Sequence, residues 1–95
     1  MKLLALEKEL PAMTAEQFLP LLKDEARRVW ELQQSGQLRE IYFNSEQHTA
    51  VLVLECPTVE EARSFLAMLP LVQAGLITFD LIPLIPYDGF ARLFA

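Results

Sequence analysis

The chain has 95 residues, 53% of them hydrophobic, and 8 Lys and Arg against 13 Asp and Glu give a net charge of −5. That length makes one domain, 1–95, and an acidic balance with scattered basic residues excludes nucleic acid and anionic membranes as partners. One cysteine, Cys56, excludes an intrachain disulfide, and one histidine, His48, excludes a multi-histidine metal site; neither metal nor organic cofactor is expected.

Lys2 to Glu9 reads as a first strand that frays into charge, stopped by Leu10-Pro11. Thr14-Ala15-Glu16-Gln17 has capping-box spacing and opens a helix running to about Ser35. Phe18, Leu22, Ala26, Val29 and Gln33 trace its inner face. Pro20 lies too deep for the donor-free first turn and predicts a kink or restart. Gly36 sits where a left-handed residue ends a helix.

Leu38 to Asn44 alternates as a second strand, with Ile41 and Phe43 opposed to Glu40 and Tyr42. Asn44-Ser45-Glu46-Gln47 supplies turn chemistry, and His48 to Glu55 returns as the other arm of a hairpin. Thr58-Val59-Glu60-Glu61 is a second capping box, opening a helix with Ala62, Phe65, Leu66 and Leu69 on one side and Pro70 as its stop. A last strand runs from Leu76 to Ile82, followed by an apolar tail, 86–95, in which Phe90, Leu93 and Phe94 have helical spacing.

This order, β-α-β-β-α-β, predicts the α+β ferredoxin-like fold: a four-stranded antiparallel sheet with two helices on one face. Both faces of the sheet are apolar. Val51 and Val53 oppose Ala50, Leu52 and Leu54, and Ile77, Phe79 and Leu81 oppose Leu76 and Ile82. Two helices cover one face, so the other predicts a homodimer packed sheet to sheet, with higher assembly left open. The alternative is that the tail folds back over it. No apolar run approaches the roughly 18 residues that span a bilayer, and the N-terminus shows no signal-peptide pattern. A cytoplasmic location is the expectation.

Certain motifs are familiar. Glu31-Leu32-Gln33-x-Ser35-Gly36, Leu69-Pro70-Leu71 and Pro83-Leu84 resemble the muconolactone isomerase family, over about residues 2 to 86. The resemblance implies a dimeric α+β barrel with a pocket between sheet and helices, and a proton shift in an unsaturated lactone without cofactor. It also implies an acid three residues before the last strand's Pro-Leu, where Asp80 stands. The family's following His-Pro is replaced here by Ile85-Pro86.

A proton shift beside a carbonyl needs a base near working pH and a donor for the developing enolate. Asp80 interrupts an apolar strand, and burial would raise its pKa toward that role. Thr78 shares its face, and Glu7 joins them if first and last strands pair, as the fold requires. The alternative is an ion pair from Asp80 to Arg63, Arg39 or an arginine of a second subunit. His48 is either a solvent-facing turn residue or a proton shuttle at the pocket mouth. Tyr42, with Trp30, Phe43 and Tyr87, either lines a site for a flat ligand or fills the core. Arg39 and Arg92 either hold a substrate carboxylate or are surface charges. No serine lies in a nucleophile elbow, and Gly36, Gly75 and Gly89 form no phosphate loop. Two functions follow: a cofactor-independent isomerase of a small lactone or enolisable carboxylate, with Asp80 and Glu7 as catalytic acids, or a non-catalytic small-molecule-binding or scaffold dimer. Thr78, Tyr42, Arg39 and His48 are the candidate substrate contacts.

Overall fold

The computed structural model describes residues 1–11 and 13–95. Strand β1 (Lys2–Glu9) leads to a short helix α1 (Ala15–Phe18), a 3-10 turn (Leu19–Leu21) and the long helix α2 (Leu22–Gln34). The hairpin β2 (Leu38–Phe43) and β3 (Ala50–Glu55) follows, then α3 (Val59–Leu66), α4 (Pro70–Gln73), β4 (Ile77–Leu84) and a C-terminal 3-10 segment (Gly89–Phe94). The sheet has four antiparallel strands in the order β2-β3-β1-β4. This is the expected ferredoxin-like arrangement.

Local chemistry accounts for the boundaries. Gln17 reaches back to accept from Thr14 N at 2.8 Å, and Thr58 Oγ1 accepts from Glu61 N at 3.1 Å, so both predicted caps start helices. Pro20 breaks the first helix into α1 and α2, because its ring cannot donate to the preceding turn. Gly36 takes φ 87°, the left-handed residue that frees the chain to enter β2. Pro70 opens α4 rather than closing α3, which ends at Leu66: a proline at the first helical position gives up an amide that has no partner there anyway.

The alternation in β3 and β4 resolves into two faces. On the helix side, Leu3 and Ala5 of β1 lie between Leu52 and Leu54 of β3 and Leu81 and Pro83 of β4. Leu3, Ala5, Leu38, Leu52 and Leu54 pack beneath Ala62, Leu66 and Leu69 as the core. A second cluster, Leu71, Leu76 and Ile77, gathers Phe18 and Leu21 from the start of the first helical segment. Helix α2 has no fully buried residue, although Val29 and Leu32 touch the core. It stands off the sheet, and the space beneath its outer half is the candidate site.

The other face carries Leu4 and Leu6 of β1, Val51 and Val53 of β3, and Ile82 and Leu84 of β4, and none of these six is buried. The tail does not fold back: Leu93 is 77% exposed and Phe94 89%, and the molecule reaches 57 Å along its longest axis. Its radius of gyration, 15.4 Å, exceeds the value near 12 Å of a compact chain this long, as an outstretched arm requires. Within the arm, Tyr87 meets Phe90 edge-on at 4.8 Å and lies so close over Gly89 that a Cβ there would collide with its ring.

Candidate functional site

A cavity of about 390 Å³ lies between the end of α2 and α3, but the more apolar one, about 570 Å³, opens between α2 and the sheet. Its floor is the outer end of the helix-side face, where Glu7 of β1 stands among Ala50 of β3 and Ile41 and Phe43 of β2. The roof is α2, presenting Leu22, Val29 and Trp30, with Glu25 deeper in and Gln33 at one end. Aromatic and aliphatic walls enclosing a few polar groups are the usual composition of a small-molecule site.

Strand alternation puts Glu7 there. Leu3, Ala5, Glu7 and Glu9 share one side of β1, so the strand that begins in the core ends by pointing carboxylates into the cleft. Glu7 Oε1 accepts from Ala50 N at 2.9 Å, which anchors one oxygen. Burial pushes the Glu7 carboxyl above its ordinary value, because desolvation outweighs that hydrogen bond; the Glu9 charge adds to the rise and His48 opposes it. Glu25 is raised likewise, first by desolvation and also by the Glu7 charge, while its Oε1 accepts from Leu71 N at 3.0 Å. No cation pairs with either group among the described residues.

His48 closes the mouth. Asn44 Oδ1 accepts from Glu46 N and Gln47 N and builds the β2–β3 turn, leaving His48 at φ 56° rather than in the strand. From there its ring stacks on Phe43 with centroids 4.0 Å apart. It is exposed on one side and lines the cavity on the other.

No family model matches the chain, and no curated protein matches it in sequence. Solved structures do match. A crystal structure of muconolactone isomerase superposes with a TM-score of 0.76 at 22% identity, covering 94% of this chain and 93% of that one. The chain has a muconolactone isomerase-like fold. A second match with it is 5-chloro-2-hydroxyhydroquinone dehydrochlorinase from Burkholderia phenoliruptrix, in complex with 2,5-dihydroxybenzoquinone: TM-score 0.71, 14% identity, 94% of this chain and 98% of that one.

Within this muconolactone isomerase-like fold the expected site residues divide between two faces. Glu7 and His48 meet in the cleft. Asp80 does not join them. In the β1–β4 register Glu7 opposes Phe79, whereas Asp80 opposes Leu6 and so projects from the open face. There its carboxylate is exposed and lies 2.6 Å from Lys8 Nζ. The expected Glu7–Asp80 pair is therefore not formed, and the ion pair goes to Lys8 rather than to Arg63 or Arg39. Thr78 does share the Asp80 face, opposite Lys8. Tyr42 faces the same way from β2, its hydroxyl donating to Glu40 at 2.6 Å, and is likewise outside the cleft. Arg39 sits at an irregularity in β2 and donates through Nε to Gly36 O at 2.7 Å, tying β2 to the turn that follows α2. Arg92 lies in the arm. Of the aromatics, Trp30 and Phe43 line the cleft and Tyr87 does not.

Glu25 and Glu9 were not expected. The signal for Glu25 was its place between Leu22 and Val29, an acid bordering the inward stripe of a helix. For Glu9 it was the period of two carried past Glu7 to the end of the strand.

Cys56 is buried with its thiol donating to Thr58 O, and desolvation raises its pKa, the opposite of an activated thiolate. Among the described residues no set of three or more His, Cys, Asp or Glu is placed to hold a metal ion. No helix among them is long and apolar enough to cross a membrane.

Proposed function

We propose that the protein is a cofactor-independent isomerase of small enolisable lactones or related ring carbonyls, with Glu7 as the proton carrier. The observation that carries this reading is a carboxylate without a cationic partner, half-buried in an apolar cleft and raised above its ordinary pKa. That is the condition that lets a carboxylate take a proton from carbon near neutral pH and give it back.

The chemistry is balanced within the substrate. Glu7 removes the proton from the carbon γ to an unsaturated lactone carbonyl, and the electron pair moves through the ring to the carbonyl oxygen as a dienolate. The electron pair then returns to a different ring carbon, which takes a proton from the same carboxyl after that carboxyl has exchanged with solvent. Nothing is consumed. Gln33 and His48 line the same cavity and offer N–H donors to the dienolate oxygen. Trp30 and Phe43 provide flat walls against which an unsaturated ring can lie.

The open sheet face supports self-association, with a second copy packed sheet to sheet over Leu4, Leu6, Val51 and Val53. A dimer of that kind leaves both clefts on the outside, beneath the helices.

The test is deuterium incorporation from D2O into a neutral five-membered unsaturated lactone, followed by proton NMR. The reading expects exchange with the native protein and loss of it in Glu7→Gln. A native protein that binds the lactone without exchanging its protons is a binding module instead.

A further inference from the structure

Apart from His48 at its mouth, the titratable groups of the cleft are of one sign: Glu7, Glu9 and Glu25 line it, and among the described residues no Lys or Arg does. The cations nearby are committed elsewhere. Lys8 edges a shallow hollow beside the mouth but lies against Asp80 on the other face, and Arg39 is bonded to the Gly36 carbonyl. Arg27 pairs with Asp24, while Arg28 pairs with Glu31 beside a separate hollow. A carboxylate entering this site would lose water and meet three carboxyl groups with no Lys or Arg beside them, His48 at the mouth being the one lining group able to carry positive charge, which is a costly arrangement for a buried charge. A cation would be attracted, but it would also hold Glu7 ionised and remove the basicity that desolvation gives.

Resting on the reading of Glu7 as proton carrier, we infer that the cleft selects uncharged ring carbonyls and rejects their carboxylate-bearing counterparts. The selection is made by Glu7 and Glu25, half-buried between apolar walls, together with Glu9, which is exposed at the cleft's edge. The cleft of this chain is thereby fitted to a neutral lactone or ring ketone and not to an anionic acid.

The experiment uses the full chain and two probes, 5-methylfuran-2(5H)-one and the same ring bearing a carboxymethyl group in place of the methyl. Binding is read from the indole N–H resonance of Trp30, the single tryptophan, which lines the cleft. At pH 8 and low salt the neutral lactone is expected to bind about tenfold or more tightly than the carboxymethyl compound. The Glu9→Gln/Glu25→Gln double variant, and added salt, are each expected to narrow that ratio. Equal or tighter binding of the carboxylate, no binding of the neutral lactone, or a ratio unchanged in the double variant overturns the inference. Selectivity is measured without turnover. A protein that discriminates yet exchanges no proton loses the isomerase reading and keeps this one.

Discussion

Glu7 and Asp80 stand one register position apart on paired strands, and yet they meet different environments. Glu7 enters the cleft under α2, where water is partly excluded and no cation answers it. Asp80 emerges on the open sheet face, exposed and 2.6 Å from Lys8. The difference is made by strand alternation alone. In a sheet with one covered face, a single residue of register decides whether a carboxylate is desolvated into a base or spent in a surface ion pair. The acid that looks anomalous in the sequence is the one the fold has neutralised. The acid that looks like the frayed end of a strand is the one the fold desolvates.

The sharpest way to break this contrast is to remove each acid in turn. Glu7→Gln is expected to lower lactone proton exchange by about 10²- to 10⁴-fold, the usual worth of a general base, while Asp80→Asn stays within about twofold. A large loss in Asp80→Asn with activity retained in Glu7→Gln would reverse the assignment. Next in size is the open face itself. Val53→Glu places a charge at the centre of the proposed dimer contact and is expected to weaken self-association by about a hundredfold in sedimentation velocity, with the cleft intact.

The pH dependence sharpens the contrast further. A carboxyl raised in the folded state binds its proton more tightly there than in the unfolded chain. Stability therefore falls as pH rises from the ordinary 4.5 through the raised value, and Glu7 and Glu25 act with the same sign. Glu7→Gln keeps an acceptor for Ala50 N and removes the buried charge, so its Tm at pH 7 is expected to rise by about 1–3 °C. Exchange in the native protein should increase with pH as Glu7 ionises. The smallest effect is expected from Lys8→Ala, within about 0.5 kcal/mol in urea unfolding, since exposed ion pairs contribute little.

Much of the fold was legible in local signals. Pro20, Gly36 and the two capping threonines mark the helix ends, and the alternation in Ala50–Glu55 and Ile77–Leu84 separates the two faces of the sheet. What local signals do not carry is the register in which β1 pairs with β4. Had the register slipped by one residue, Glu7 would oppose Asp80 and the expected acid pair would exist. Glu25 was hidden for a related reason. A helix standing off its sheet buries nothing fully, so its inward acid reads as surface until the cleft beneath it is seen. The arm had the opposite fault: apolar spacing in Phe90, Leu93 and Phe94 suggests packing, but all three side chains are exposed.

The most direct measurement is a pH titration of the Glu7 side-chain carboxyl by carbon-detected NMR on the uniformly labelled protein. The account predicts a midpoint above the ordinary glutamate value of 4.5, moving back toward it when Glu9 is replaced by glutamine. A Glu7 that titrates at or below that value is solvated or paired, and would contradict its role as the base in the cleft.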